Sequence, residues 1–414
     1  MSLFNKSKKG SDKKEIKNRS TDSLDVNIEK VKEILKDCDD IVYKEFVVGE
    51  EQNLRFTLVY VDGMSDRNLL NLAVLETLMV EARAVTPDAP EFTDKLYELV
   101  RYGNIPASEL KESEDLDAAI LDILIGDAVL FIDGTATLIT IGAKGWPMRG
   151  VNEPNTEAVL RGPRDGFVET FRMNTALVRR RIRDPRLKLK QMRIGKRSKT
   201  DVGIFYIEDI AKKELVEEVF RRLESIEIDA ILDSGYIEQL IEDDPYSPFP
   251  QISLSERPDR VAAELYEGRV VILVDNTPFA LILPATLNLM FQSPEDYYDR
   301  WIISTVLRFI RLMASFIAML LPALYIAFTS YNPGIIPTKL VLSISASRQG
   351  VPFPAVVEAF IMEMTLELLR EAGISLPAPI GNTIGIVGGL VIGQAAVQAG
   401  IVSPIMVIIV ALTA

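Results

Sequence analysis

The stretch 301–330 constrains the fold of this chain most, because it reads WIISTVLRFIRLMASFIAMLLPALYIAFTS and its residues 312–328 carry no charge. That run has the length, roughly 17–25 residues, that a helix needs to cross a membrane. Arg308 and Arg311 precede it, where long cationic side chains can reach lipid headgroups. A buried helix of a large soluble protein is the alternative. Because the sequence stays apolar after this stretch and is charged before it, we predict a cytosolic front part and a membrane-embedded back part.

The composition excludes several classes of protein. The chain has 414 residues and a formal net charge of −13, which argues against nucleic acid as a partner, because phosphate backbones bind basic surfaces. The absence of histidine excludes Ser–His–Asp and Cys–His catalysis and histidine metal sites. Cys38 is the only cysteine, so no internal disulfide can form. We expect no cofactor, and an enzyme would have to use Asp, Glu, Lys or Tyr.

The first 25 residues are predicted to be a disordered basic tail. They lack the apolar core of a signal peptide. A solubilising role is favoured, and attraction to an anionic cytoplasmic leaflet is the alternative. The lysines of this tail are Lys6, Lys8, Lys9, Lys13, Lys14 and Lys17.

The predicted fold class is a cytosolic α/β region of two mixed subdomains, 26–145 and 146–296, followed by an α-helical integral-membrane domain over 297–414. In the first subdomain the patterns predict helices near 28–35, 66–80 (capped by Ser65 or Asp66), 92–101 and 116–125, and strands at 41–48, 54–61, 129–132 and 137–141. In the second they predict helices at 167–181, 213–223, 234–241 and 258–265, and strands at 187–194, 202–207, 269–274 and 279–283.

Two clusters of the second subdomain are candidate sites. In the first, a Gly-Pro turn precedes the predicted helix 167–181, with Asp165 as its cap, and backbone N–H groups at such a place can bind an anion. A purely structural turn is favoured, because the turn matches no phosphate-binding fingerprint. Its residues are Arg161, Gly162, Pro163, Arg164, Asp165 and Gly166.

The second cluster is a basic run. A solvated face that pairs with the surplus carboxylates is one interpretation, and docking on anionic headgroups or on an acidic neighbouring subunit is the other. Its residues are Arg179, Arg180, Arg181, Arg183, Arg186, Lys188, Lys196, Arg197 and Lys199.

The back part contains a helix pattern at 354–373 that carries glutamates. Glu363, Glu367 and Glu371 recur every four residues and therefore share a face, whereas Glu358 lies elsewhere on the wheel. Carboxylates at membrane depth usually face a cavity, a partner or a pore. An amphipathic helix lying in the membrane interface, with its acids in water, is the alternative.

The remaining apolar segments suggest close helix packing. Residues 340–344 are too short to span and suggest a re-entrant or interfacial piece. Gly385, Gly389 and Gly393 form a small-residue ridge that lets helix backbones approach closely in lipid. A further apolar run starts at Pro404 and stops at 414, so we expect that a C-terminal part of the membrane domain is missing.

Long blocks from about Trp146 onward resemble the A subunits of GerA-type bacterial spore germinant receptors. Those that carry the resemblance include RGPRDGFVETFRMNTALVRRRIRDP (161–185), DSGYIEQLIEDDPYSPFPQ (233–251), ERPDRVAAELYEGRVVILVD (256–275), FQSPEDYYDRW (291–301) and SASRQGVPFPAVVEAFIMEMTLELLREAGI (345–374). The first 145 residues fit the family's more variable cytosolic subdomain in outline.

The resemblance implies a non-enzymatic membrane subunit of the spore inner membrane. Such subunits assemble with a transporter-like B subunit and a lipoprotein C subunit, and are thought to oligomerise into a nutrient-gated channel for monovalent cations. A glutamate face repeated around an oligomer would make the acidic rings of a cation-selective pore. Our hypothesis is that Glu363, with Glu358 and Glu367, faces or gates the ion path.

Two other functions stay open. A secondary transporter could use the broken helices for a midplane substrate site, although no paired halves are visible. A stage-V sporulation paralogue of the same family is the second alternative.

Overall fold

The computed structural model of the protein describes residues 18–48, 54–71, 110–145, 154, 156–374 and 378–413. These residues belong to two compact units, Met1–Met290 and Phe291–Ala414. The first unit contains two five-stranded sheets and the second is helical. Mixed α/β structure followed by helices is therefore confirmed, while the domain boundaries predicted from the sequence stay predictions.

The first sheet is antiparallel and has the strand order β1-β2-β4-β5-β3. Side chains alternate along β2, so Phe56 and Leu58 enter one apolar core while Val59 and Val61 enter the other, beneath the helices. Both faces of the sheet are thereby covered. The strands are β1 (Ile41–Val48), β2 (Leu54–Val61), β3 (Leu110–Ser113), β4 (Ala128–Ile132) and β5 (Leu138–Ile141), and the helices are α1 (Leu24–Ile34), α2 (Arg67–Leu69) and α3 (Leu116–Ile125).

Local signals place most of these elements as predicted. Asp66 caps α2, accepting hydrogen bonds from the backbone N–H groups of residues 68 and 69. Asp115 caps α3 in the same way, and Gly126 ends that helix with φ of 106°. The predicted helix 92–101, and the part of 66–80 beyond residue 71, lie outside the described residues.

The prediction of a disordered tail over the first 25 residues is wrong for its described end. Arg19 pairs with Asp115 in an antiparallel bridge, and the Ser20 backbone N–H donates to the carbonyl of Glu114 at 3.0 Å. Helix α1 begins at Leu24, which is buried. These bonds anchor residues 18–20 to the segment 114–116, and the N–H of Leu24 donates to the side chain of Asp133, so this end of the tail is ordered. Residues 1–17 lie outside the described residues.

The second sheet repeats this architecture with the order β6-β7-β9-β10-β8, again antiparallel. One face carries α4 and α7, and the other carries α5 and α6. The strands are β6 (Leu187–Ile194), β7 (Thr200–Ile207), β8 (Ser253–Ser255), β9 (Val270–Val274) and β10 (Ala280–Leu283). The helices are α4 (Phe171–Arg181), α5 (Lys213–Glu224), α6 (Ser234–Ile241), α7 (Pro258–Tyr266) and the short α8 (Leu287–Met290).

The start of α4 differs from its prediction. The helix begins at Phe171 after Thr170, so Asp165 is not its cap. The physical reason lies in the carbonyl of Val168, which a helix starting at 167 would pair with the N–H of residue 172. That carbonyl accepts instead from the side-chain amide of Asn174 at 2.5 Å, and the N–H of Val168 donates to the same side chain. The N–H of Phe167 donates to the carbonyl of Glu256, so the chain follows a different path until the helix begins at Phe171.

The second unit consists of helices around an apolar cluster formed by α10, α12 and α14. One helical stretch of the described residues, 301–331, is long and apolar enough to cross a membrane. The predicted short piece 340–344 is part of the 11-residue helix α11. The helices are α9 (Glu295–Tyr298), α10 (Trp301–Ile326), which continues as a π-helical turn (Ala327–Tyr331), α11 (Thr338–Arg348), α12 (Ala355–Ile374), α13 (Ala378–Gln398) and α14 (Pro404–Thr413).

Gly203 on β7 allows the side-chain packing around the second sheet to be tested. An added Cβ would lie 2.6 Å from Cζ of Phe171 and 2.9 Å from Cδ1 of Leu189. We expect Gly203→Ala to lower the free energy of unfolding by about 1–3 kcal/mol, because the overpacked sheet must shift. Thermal and denaturant unfolding would measure this. Gly334→Ala is the control, since a Cβ there meets nothing within 4 Å, and equal stability of both variants would contradict the packing.

Candidate functional site

The two subdomains of the first unit meet where the segment 37–40 lies along the edge of strand β6. The N–H of Asp39 donates to the carbonyl of Leu189 at 2.9 Å, and the N–H of Leu189 donates to the carbonyl of Asp37 at 3.0 Å. The Asp39 carboxylate also accepts from the N–H of Gln191 at 2.8 Å. The segment therefore extends the second sheet with backbone bonds from the first subdomain.

A fully buried ion pair lies beside this joint. The Arg179 guanidinium donates from Nε to Oδ2 of Asp40 at 2.7 Å and from Nη2 to Oδ1 at 2.8 Å. Its Nη1 donates to the carbonyl of Leu187 at 2.8 Å, and both charged side chains are 0% exposed. Burial alone would lower the pKa of Arg179, but the Asp40 carboxylate raises it above its usual value. The Arg179 guanidinium is therefore held in its charged form.

Cys38 belongs to the same joint. Its thiol lies 3.5 Å from the carbonyl of Leu187, which also accepts from Arg179. Burial raises the pKa of the thiol above its usual value, despite the neighbouring Arg179 charge. The thiol is thus protonated and shielded, which is typical of an inert structural cysteine.

The basic run is largely occupied by carboxylates. Arg179 is buried rather than surface-exposed, so the expectation that it forms part of a solvated or docking face is wrong. The reason is the buried Asp40, which compensates its charge. Docking of the exposed members on an anionic surface stays a prediction. The pairs are Arg181–Asp165, Arg186–Asp184, Arg186–Asp209, Lys188–Glu208, Lys196–Glu227 and Arg197–Asp229, while Arg180 and Arg183 are exposed.

The Gly-Pro turn is held by a second buried arginine. Arg257 is 0% exposed and donates to the carbonyls of Pro163 at 2.8 Å and Glu157 at 3.0 Å and to the carboxylate of Asp259 at 2.9 Å. Arg257 thereby fixes the path of the turn. In the turn, Gly162 has φ of 134°, Gly166 is buried, and Arg161 and Arg164 are exposed.

The turn does not lie at a helix start, as an anion site of the expected kind requires. Helix α4 begins at Phe171, whose N–H donates to Oδ1 of Asp275 at 3.0 Å. A carboxylate of the chain itself therefore occupies that helix terminus, and Asp165 instead binds Arg181. The anion-site alternative fails for this reason.

The glutamates of α12 fall into two environments, as their spacing predicts. Glu363 and Glu367 are exposed, and Glu367 pairs with Arg370 at 2.5 Å. Glu358 is 0% exposed and accepts from Nη2 of Arg348 at 2.8 Å and from the N–H of Ser403 at 2.9 Å. A role of all three in an ion path stays a prediction.

The glycine ridge lies on α13. An added Cβ at Gly389 would lie 3.8 Å from Leu366 of α12, and one at Gly393 would lie 3.3 Å from Val407 of α14. Gly385 is on the same helix. The two described contacts join neighbouring helices of one chain, and the packing role of the ridge stays a prediction.

Arg308 and Arg311 do not simply extend toward headgroups. Both bind the buried Asp296 on α9, at 3.1 Å and 3.0 Å from its Oδ2. Burial alone would raise the pKa of Asp296, but hydrogen bonds from Arg311, the N–H of Ser293 and Arg308 bring it below its usual value. The sequence contained one signal for this cluster, since arginines three residues apart share a helix face.

Comparison with known proteins identifies relatives of this chain. Residues 29–414 match the family "Bacillus/Clostridium GerA spore germination protein". The chain is 45% identical over 391 residues to Spore germination protein B1 of Bacillus subtilis (strain 168), covering 94% of this chain and 79% of that protein. It is 42% identical over 393 residues to the uncharacterized membrane protein YfkQ of the same organism, covering 94% and 74%.

A solved structure agrees with the first unit. The crystal structure of the N-terminal domain of the A subunit of the Bacillus megaterium spore germinant receptor GerK3 aligns with a TM-score of 0.50 at 33% identity. The alignment covers 65% of this chain and 98% of that chain. Two antiparallel-sheet subdomains are therefore shared with it.

Removing the acidic partner of Arg179 should destabilise the first unit. Asp40→Ala leaves a buried guanidinium without its carboxylate, and we expect a loss of about 3–5 kcal/mol in the free energy of unfolding. Glu227→Ala is the matched control, because its pair with Lys196 is exposed and is worth at most about 1 kcal/mol. Chemical denaturation would compare them, and similar losses would show that the buried pair is not required.

The Cys38 thiol should react slowly with iodoacetamide at pH 8. Because its pKa is raised, less thiolate is present at that pH than for an exposed thiol, and burial blocks access. A Val26→Cys variant adds an exposed thiol on α1 as an internal reference. Mass spectrometry should show one fast modification and one at least ~10-fold slower. Equal rates would mean that the joint opens freely.

Proposed function

We propose that this chain, which belongs to the Bacillus/Clostridium GerA spore germination protein family and is the A subunit of a germinant receptor, oligomerises to form or gate a cation channel. The family is non-enzymatic, so its members act by binding, assembly and conformational change. The proposed location is the spore inner membrane, with several membrane passes and the first unit in the cytosol. The ions conducted are monovalent cations.

The exposed face of α12 carries the proposal. Phe360 and Leu368 are 67% and 66% exposed on this helix, so most of the face suits lipid or a partner protein. Glu363 and Glu367 are exposed among them. Carboxylates are costly in hydrocarbon, so this face requires water or a second protein surface. A closed ring of copies supplies both, because each copy buries apolar residues against its neighbour and directs its carboxylates to a common axis.

The first unit supports a relay or assembly role. Its two subdomains are joined by backbone bonds along β6 and by the buried pair of Arg179 and Asp40. We propose that this joint holds the two subdomains together, so that a contact made on one subdomain also moves the other. We propose that a transporter-like B subunit, which binds the nutrient, and a lipoprotein C subunit make such contacts.

The first experiment measures ion flux and particle size together. The chain is co-expressed with its B and C partners in a bacterial membrane, and potassium and sodium efflux is followed with and without nutrient. Nutrient-dependent efflux from a ring-shaped oligomer supports the proposal. A monomeric particle that shows saturable uptake of a solute, without ion flux, would instead indicate a secondary transporter.

If the exposed glutamates of α12 line the pore, their substitution should change the selectivity for cations over anions. Glu363→Gln and Glu367→Gln should reduce the permeability of the assembled receptor to cations relative to anions several-fold, because the ring loses charge. Glu363→Asp should retain selectivity, since the charge remains. Glu224→Gln, an exposed glutamate of the first unit, is the control. Reversal potentials under a salt gradient would measure the ratio, and unchanged ratios in both Gln variants would contradict the pore assignment.

A further inference from the structure

Three helices of the second unit meet at one buried charge. Glu358 lies in the first turn of α12, Arg348 is the last residue of α11, and the N–H of Ser403 directly precedes α14. Arg348 reaches Oε1 of Glu358 from Nε at 3.2 Å and from Nη2 at 2.8 Å, while Ser403 donates to Oε2 at 2.9 Å. Both carboxylate oxygens are therefore engaged, each by a different helix.

The turns that bring these groups together are closely packed. Gly400 has φ of 69°, and a Cβ added to it would lie 3.2 Å from the carbonyl oxygen of Gly350. Gly350 follows α11 and Gly400 follows α13, so the two connections touch beside the ion pair. Glycine adopts this backbone conformation more readily than most residues, and a side chain at 400 would also crowd the carbonyl of Gly350.

The ion pair also fixes the rotation of α12. Ala355, Glu358, Ala359 and Met362 are its buried residues and contribute to one face. At about 100° per residue, Glu363 and Glu367 lie about 140° and 180° around the helix from Glu358. The inward carboxylate and the outward carboxylates are thus on opposing faces of the same helix. Any rotation that withdraws Glu358 from Arg348 moves Glu363 and Glu367 with it.

We infer that Arg348 and Glu358 are positioning residues that hold the acidic face of α12 in its resting orientation. This inference rests on the proposed channel function. It adds Arg348 and gives the buried Glu358 a positioning role that requires no contact with the ion. A buried carboxylate that loses its cation must find water or a proton, and either outcome loosens the contact of α12 with α11 and α14. The pair therefore couples the packing of three helices to the direction in which the exposed glutamates point.

The test uses single and paired substitutions in the full receptor. Arg348→Gln and Glu358→Gln each remove one charge, and the double variant R348E/E358R restores a pair of opposite sign. Wild-type receptor should show at least about tenfold more cation efflux with nutrient than without. Each single variant should raise the efflux without nutrient and so reduce this ratio to below about twofold, because the helix is no longer held in its resting orientation. The double variant should recover part of the ratio. Recovery is partial because the N–H of Ser403 then faces a guanidinium.

Two controls separate positioning from general damage. Lys339→Gln removes an exposed cation from the same helix as Arg348 and should leave the ratio unchanged. Glu224→Gln removes an exposed carboxylate from the first unit, as the counterpart of Glu358→Gln, and should also be neutral. If the Gln variants are absent from the membrane, Arg348→Lys and Glu358→Asp, which retain both charges, replace them and should give intermediate ratios.

Thermal unfolding of the purified chain separates the two proposals. Lower midpoints for both Gln variants than for Lys339→Gln, partly recovered in the double variant, support the ion pair even if no receptor shows cation flux, in which case only the channel proposal fails. Wild-type flux ratios in the single variants overturn the positioning role. So does a double variant that is no better than the singles in both measurements.

Discussion

The bidentate contact of Arg179 with Asp40 is the interaction on which the architecture of the first unit depends. Both side chains are fully removed from solvent, and each is tolerated there only because the other is present. The residues belong to different subdomains and are 139 positions apart. Since neither subdomain could bury its charge alone, the pair makes folding of one half conditional on docking of the other. Gly63 adds to this constraint, because its φ of 84° and its approach to the Arg172 carbonyl leave no room for a side chain.

The second unit also relies on buried carboxylates, although their partners lie closer to them in the sequence. Asp296 binds Arg308 and Arg311 of α10. Glu358 accepts hydrogen bonds from Arg348 and from the Ser403 backbone N–H where three helices meet. In each case one buried carboxylate binds several donors: Asp296 also accepts from the N–H of Ser293, and Glu358 accepts from Arg348 and Ser403. Such contacts contribute more to the choice of one arrangement than to net stability, since desolvating the charges offsets much of their attraction.

Helices and strands whose ends depend on nearby residues could be predicted from the sequence, including where they begin and end. Strands 41–48 and 54–61 alternate apolar and polar side chains or carry apolar runs, and helix 116–125 has a cap at Asp115 and a glycine at its end. Tertiary contacts explain the failures. The start of α4 depends on Glu256 and Asp275, about a hundred residues away. Partners so distant in the sequence cannot be predicted from its apolar periodicity. Spacing did separate Glu358 from the other glutamates of its helix, although its partner Arg348 was not foreseen.

The segment 37–40 has a further consequence at the edge of strand β6. An uncovered edge strand offers unpaired N–H and C=O groups to any other extended chain, and this is how folded domains begin to polymerise into fibres. Here the groups of Leu189 are already bonded within the molecule. The opposite edge of that sheet is β8, which is only three residues long and offers few backbone groups with which another chain could pair. The sheet is thereby less open to self-association through its edges.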